Sequence, residues 1–155
     1  MEEKTLESAI ENILDKIEEK LSDAIQDGEK LSDVKTLVIG VKTSSKPEAP
    51  AIWVMEGETT IDPSGLTIYE RWNMDIVIIG VVYNSVDGKE GYKEANKLTA
   101  RAKNILLADR TLGFGHGTFF QDIKSKRFDG NNPYFKNGNY YSAMFTLTTV
   151  FAVRE

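Results

Sequence analysis

Apolar residues recur at three- and four-residue spacing near the N-terminus, which predicts a long amphipathic helix over residues 5–26. Thr5 stands at the position of an N-cap, and Gly28 follows the last apolar residue as a helix stop. The same spacing recurs later in the chain and predicts a second helix over residues 90–108. The outer surface of the first helix is acidic, whereas that of the second carries several lysines and an arginine.

Alternating or continuous apolar runs predict five strands between and after these helices. The predicted strands are 34–41, 51–56, 67–83, 118–128 and 140–153. Polar segments rich in turn-forming residues predict loops over 42–50, 57–66 and 129–139. The polar connection between the first two short strands favours a hairpin. The order α-β-β-β-α-β-β predicts one α+β domain over residues 1–155, in which two long helices pack on a mainly antiparallel sheet of about five strands.

The third and fifth predicted strands are unusually long for a chain of this size. About 14 residues at about 3.3 Å each give roughly 45–50 Å, whereas a compact domain of this length has a radius of gyration near 15 Å. Two alternatives follow: each strand is bulged within one domain, or the pair projects as an arm used in self-assembly. Residues 76–82 are apolar on both strand faces, which predicts cover on both sides by a second helix or a neighbouring subunit.

Composition excludes several classes of protein. The chain has 155 residues, no cysteine and one histidine, so disulfide frameworks and sites built from several cysteines or histidines are excluded, and no cofactor is expected. The formal net charge is -5, and residues 1–30 hold 10 acidic against 4 basic residues. Such a chain is a poor general binder of nucleic acid. No apolar run approaches the about 20 residues that span a bilayer, so no membrane association is expected, and the acidic N-terminus does not resemble a signal peptide.

Catalytic motifs are equally sparse. His116 lies in a glycine-rich GFGHG segment that follows a predicted helix, whereas a phosphate-binding loop precedes one, so His116 is interpreted as a turn residue. No second histidine is present for a catalytic triad. Glu70 and Asp75 are predicted on opposite faces of one strand, so they cannot act as a paired acid and base. The chain is therefore predicted not to be an enzyme.

The charged segments leave alternatives open. Lys124, Lys126 and Arg127 fit an edge strand protected by cations, or a contact to an acidic partner or to a nucleic-acid backbone. The acidic helix face fits a solvated surface, one that binds a basic partner, or one that repels DNA. A further hypothesis is that it contacts the basic second helix of a neighbouring copy. Because loops on a rigid sheet carry recognition, contacts with other subunits or partners are predicted in the loops and at the basic triplet. The candidate contacts are Lys46, Glu48, Glu58, Asp62, Arg71, Lys124, Lys126, Arg127, Tyr134 and Phe135.

Several segments in order cover most of the chain: ESAIENILDKIEEKL, a proline-containing loop into AIWVMEGE, ERWNMDIVIIGVV, KEGYKEANKLTARAKNILLADRTLG, and closing strands with FDG and YYSAMFTLTTVFAVRE. Together they resemble the tail terminator or tail-completion proteins of tailed viruses, a family that shares fold and element order more than motifs. The resemblance implies an α/β fold and a hexameric ring that caps the tail tube, ends its growth and joins the tail to the head.

The same resemblance implies partners and a location. The ring would bind the tail tube protein on one side and a neck or connector protein on the other, and DNA would pass through it without specific binding. It implies no active site and no cofactor, and it places the protein in the virion after synthesis in the host cytoplasm. A neck adaptor or another minor tail component is the alternative, followed by a small ligand-binding domain or enzyme.

Overall fold

The computed structural model describes residues 5–26, 28–40, 48–62, 69–132 and 138–154. Two helices and five strands follow one another in the predicted order α-β-β-β-α-β-β, which confirms the α+β class. The elements are α1 (Leu6–Ile25), β1 (Thr36–Ile39), β2 (Ala51–Ile61), β3 (Glu70–Tyr83), α2 (Gly88–Leu107), β4 (Phe120–Asn132) and β5 (Tyr140–Val153).

The strands form one mixed sheet in the order β1-β2-β3-β5-β4. β1 pairs with β2 in parallel, and the other three pairings are antiparallel. The predicted hairpin between the first two strands is therefore wrong. Thr36, the first residue of β1, lies opposite Ala51, the first residue of β2. The connection over 40–50 has the length to bring the chain back along β1, a distance of about 13 Å for four residues.

Both helices pack on one face of the sheet, which we call the helix-covered face. Their apolar stripes meet alternate residues of the strands in a single core cluster. Ile13, Ile17 and Leu98 of the helices and Leu147 and Phe151 of β5 are fully or almost fully buried in it. Side-chain caps set the start of both helices, as the sequence predicted for α1: Ser8 N donates to Thr5 Oγ1 at 3.1 Å, and Lys89 N donates to Asp87 Oδ1 at 2.9 Å.

The two long strands are central, not projecting. β3 and β5 have 14 residues each and pair without a register shift, from Glu70 opposite Val153 to Tyr83 opposite Tyr140. The other edge of β3 is bonded to β2 and the other edge of β5 to β4, so neither strand offers a free backbone edge along these pairings. The prediction of a projecting arm is therefore wrong, because the chain itself completes both strands.

The irregularities lie in the flanking strands. β2 continues to Ile61 through a register shift between Glu56 and Thr59, so much of the predicted loop 57–66 is strand. β4 runs on to Asn132, past its predicted end, through three register shifts against β5. Both extensions, GETTI and DGNN, contain hardly any apolar residues, so there is no apolar periodicity by which to detect them.

No helix of the described residues packs on the other face of the sheet, which we call the uncovered face in that sense, and this face carries a second apolar cluster. It is formed by Ala51, Trp53, Ile79 and Val81, each buried, with half-buried neighbours that include Val38 and Met144 of adjacent strands. No helical residue belongs to this cluster. The prediction that this part of β3 is buried on both faces is confirmed. On the helix-covered face the cover is α2, whose Leu98 and Thr99 lie against Gly80. On the other face Ile79 and Val81 are buried within the single chain, without another subunit.

Candidate functional site

A polar patch occupies the other half of the uncovered face. Four strands contribute to it, and together they form a shallow concavity of about 350 Å³. Its lining contains two carboxylates, two ammonium groups and three neutral polar side chains. The members of the polar patch are Glu58, Thr60, Asn73, Asp75, Lys124, Lys126 and Thr148.

Asp75 is the central group of the polar patch. Lys126 Nζ donates to Asp75 Oδ2 at 2.7 Å, and Thr148 Oγ1 donates to Asp75 Oδ1 at 3.1 Å. The Asp75 side chain is 13% exposed and that of Lys126 is 53% exposed. A carboxylate this buried needs partners for both oxygens, and the two donors supply them from neighbouring strands. The ion pair therefore ties the edge strand β4 to β3 across the intervening strand β5.

Two bulges bring these groups together. Lys126 lies at a register shift between Ser125 and Arg127, so it is the extra residue of β4 at this point. On the other side, Gly57 lies at the β2 shift, and a Cβ built on it would stand 2.9 Å from Asp75 Cβ. Glycine therefore permits the close approach of β2 to Asp75.

Further ion pairs adjoin the polar patch. Arg71 Nη1 lies 3.9 Å from Asp62 Oδ2, and Asp62 N donates to the Arg71 carbonyl at 2.8 Å. Arg127 Nε donates to Asp129 Oδ2 at 3.0 Å. The patch and the Asp62–Arg71 pair together contain three carboxylates and three cations. This surface is balanced in charge, so it lacks the excess of cations that retains phosphate backbones.

The predicted contact residues are thus partly brought together. Glu58, Lys124 and Lys126 line the polar patch, Asp62 and Arg71 adjoin it, and Arg127 follows on β4. Glu48 lies apart, where its carbonyl accepts a hydrogen bond from Thr36 Oγ1 at 2.8 Å. The other three candidates lie outside the described residues: Lys46, Tyr134 and Phe135.

Sequence reasoning missed Asp75 as a member of this site. The sequence suggested Asp75 only as a partner for Glu70, and the two side chains point to opposite faces of the strand. The alternation of Arg71, Asn73 and Asp75 on one side of β3 was a usable signal, since three polar residues in a row predict a solvated half-face. The partner lysine lies 51 positions away in the chain, so no local pattern could connect the two.

The charges on the two helices differ in how they are compensated. Glu19 of α1 pairs with Lys16 at 3.3 Å, but the other outward carboxylates of α1 are exposed and have no ion pair in the described part of the chain. These five are Glu7, Glu11, Asp15, Glu18 and Asp23. We call this surface the α1 acidic face.

On α2 most of the cations already have contacts within the chain. Lys93 pairs with Glu90 at 3.5 Å, and Lys103 Nζ lies 5.0 Å from the centre of the Phe145 ring. Arg101 makes a two-pronged contact to Asp33, at 3.0 and 3.1 Å, and its guanidinium lowers the pKa of that carboxyl below the usual value. The predicted contact between the acidic and basic helices of neighbouring copies would therefore depend on Lys89 and Lys97, which have no ion pair in the described residues.

Neither a metal centre nor a histidine site is evident in the ranges that the structure describes. These residues contain no group of three histidine, aspartate or glutamate side chains placed to hold a metal ion. His116 is exposed in a turn between α2 and β4, flanked by Gly115 and Gly117 with positive φ. No helix in the described ranges is long and apolar enough to cross a membrane.

A second concavity, of about 740 Å³, lies beside α2. Its apolar lining includes Pro50, Val82 and Leu98, and the Asp33–Arg101 ion pair stands at its wall. We call it the α2 groove. No protein-family model matches the chain, and no curated protein shows significant similarity to its sequence.

Proposed function

We propose that the chain is a structural subunit of a virus tail, in which six copies form a ring that caps the tail tube. The ring ends tube growth and joins the tail to the head or neck. One side binds the tube protein and the other binds a connector protein. The protein acts in the virion after synthesis in the host cytoplasm, and this function requires neither a cofactor nor an active site.

The observation that carries this proposal is the balanced charge of the polar patch and its surroundings. Asp75 is neutralised by Lys126, and Asp62 lies beside Arg71. A ring that lets DNA pass must expose polar groups without a net cationic surface, because each cation that neutralises a phosphate adds binding free energy. The packing of two helices on a sheet, in the order that the resemblance implies, adds support.

Copy number tests this proposal most directly. Native mass spectrometry and light scattering of the purified chain should give six copies. A stable assembly of twelve would favour a neck adaptor, and a monomer at high concentration would contradict the ring. Electron microscopy adds a functional test: tube protein from the same virus should form tubes of uncontrolled length alone and shorter, capped tubes when the ring is added.

A small ligand-binding domain is the second candidate, and the α2 groove favours it. Its volume of about 740 Å³ lies in the range of small-molecule sites, which are also mainly apolar with a few polar groups. A monomeric chain whose melting temperature rises in a screen of small molecules would support this function over the ring.

A further inference from the structure

β4 presents a run of five consecutive exposed residues at the edge of the sheet. In the described part of the chain β4 is bonded to β5 alone, so its other edge is unpaired by any strand. The opposite edge strand, β1, has only four residues, all partly buried. We call the exposed run the β4 basic edge: Lys124, Ser125, Lys126, Arg127 and Phe128.

The side chains of the β4 basic edge fit a protein contact better than strand addition. Lysines on an edge strand disfavour pairing with another strand, so a partner must bind through side chains. Phe128 is 43% exposed and packs on Phe145 with ring centres 4.6 Å apart, which holds it in place at the surface. Arg127 lies opposite Thr146 and Phe128 opposite Phe145, so their side chains flank the edge strand on opposite faces of the sheet. Aromatic residues and arginine are both enriched in protein interfaces.

The α1 acidic face has the complementary charge. Five of its carboxylates are exposed and have no ion pair in the described residues. On the β4 basic edge, Lys124 has no ion pair there, whereas Lys126 pairs with Asp75 and Arg127 pairs with Asp129, and all three side chains are exposed. The two surfaces lie on different elements, one on a helix and one on the sheet edge, so one copy can use both at the same time. Contacts between two different surfaces are heterologous, and they close into a ring when the rotation between copies permits.

We propose that the β4 basic edge of one copy binds the α1 acidic face of the next copy around the ring. This inference rests on the ring of the proposed function and names the contact that holds it. The cations of one copy would meet unpaired carboxylates on its neighbour, so the contact would be sensitive to salt. At about 1 M salt the screening length for electrostatic interactions falls to about 3 Å. The ring should therefore dissociate at a higher protein concentration than it does in buffer of low salt.

A charge-swap experiment tests the contact. One variant, Glu11→Lys/Glu18→Lys, makes α1 basic; the other, Lys124→Glu/Arg127→Glu, makes the edge acidic. Lys126 is left unchanged because it neutralises Asp75. Each variant alone brings like charges together and should lose the ring, with at least a tenfold rise in the concentration needed for assembly. Mixed in equal amounts, they should restore a ring of alternating variants, which closes because six is even.

The control is Lys89→Glu/Lys97→Glu on α2, which makes the same change of charge as the edge variant but outside both surfaces, and it should leave the ring intact. Circular dichroism and thermal melting verify that every variant is folded. If the unaltered chain forms rings and both swap variants still do, or if the mixture fails to restore them, the contact is wrong while the ring stands. If the unaltered chain is monomeric at all concentrations, the ring itself is wrong.

Discussion

The two faces of the sheet use the same strands but are stabilised differently. On the helix-covered face, alternate residues of β3 and β5 are mostly apolar and buried, from Met74 to Val82 and from Ala143 to Val153, with the buried Thr149 as a polar exception. On the uncovered face, only one half is apolar, around Trp53 and Ile79. The other half is the polar patch, in which hydrogen bonds and ion pairs replace apolar contacts.

This difference separates stability from surface chemistry. Burial of apolar side chains supplies most of the free energy of folding, so substitutions on the helix-covered face should be costly. Ion pairs that remain in contact with water contribute little, so the polar patch can vary at low cost. The uncovered face is thus the place where this fold can adapt to partners without losing its core.

The largest effect is expected from Phe151→Ala on the helix-covered face. Phe151 is fully buried, so the substitution removes a ring from the core and leaves a cavity. We expect the free energy of unfolding to fall by about 3–5 kcal/mol in urea denaturation. The adjacent Val150→Ala, on the uncovered face, is the matched control and should cost about 1 kcal/mol or less. Similar losses at both positions would contradict the division between the faces.

A Cβ added at Gly80 should also destabilise the helix-covered face. It would stand 2.3 Å from Thr99 Oγ1 and 3.1 Å from Thr99 N, so α2 must move away from β3. We expect Gly80→Ala to lower the free energy of unfolding by about 1–3 kcal/mol, measured by urea denaturation. Adding Thr99→Ala removes the hydroxyl and should make the cost of the glycine substitution smaller than in the unaltered background. An unchanged cost would mean that the hydroxyl is not the obstacle.

The Asp75–Lys126 ion pair on the uncovered face should contribute less to the free energy of unfolding than is lost in Phe151→Ala or in Gly80→Ala. A double-mutant cycle with Asp75→Asn and Lys126→Gln should give a coupling of about 0.5–1 kcal/mol, because half of the Lys126 side chain is exposed to water. Lys124→Gln, which breaks no ion pair among the described residues, is the control and should lie within about 0.5 kcal/mol of the unaltered chain. A coupling of zero would show that solvent screens the pair completely.

The smallest effect is expected from acid. Arg101 lowers the pKa of Asp33, and Arg110 lowers that of Asp122 through two hydrogen bonds of 2.7 Å. Because the folded pKa of each is below the unfolded value of about 3.9, their contribution is present above about pH 4 and is lost as pH falls through the folded values. In the Asp122→Asn variant, the free energy of unfolding should therefore fall less steeply below about pH 4 than in the unaltered chain, measured by urea denaturation at several pH values. An identical acid profile would exclude Asp122 as a source of that loss.

Local pattern was sufficient for the helices and for the two long strands. The first helix, its Thr5 cap and the last strand over residues 140–153 agree with the structure, because their apolar residues repeat with the period of the element. Polar extensions such as 57–61 of β2 and 129–132 of β4 escaped prediction. These segments contain hardly any apolar residues, so there is no alternation of apolar and polar positions to recognise.

Pairing between distant segments was beyond prediction from sequence. Nothing in the local pattern distinguishes a parallel β1–β2 pair from a hairpin, and nothing joins Asp75 to Lys126 across 51 positions. The lengths of the two long strands were predicted correctly. Their length had suggested backbone edges free for a neighbouring copy, but in the strand order β1-β2-β3-β5-β4 both edges of each long strand are bonded to strands of the same chain.

Periodicity and capping residues thus specify which segments become helices and strands, since those choices depend on neighbours in the chain and on one buried side. Contacts between segments far apart in sequence decide the rest: the order of the strands in the sheet, the strand that forms its edge, and the charges that are neutralised. For this protein those contacts decide the surface. Among the described strands they leave β4 as a long strand bonded on one side only, and they collect predicted contact residues around Asp75, because only the assembled sheet brings β2, β3, β4 and β5 side by side.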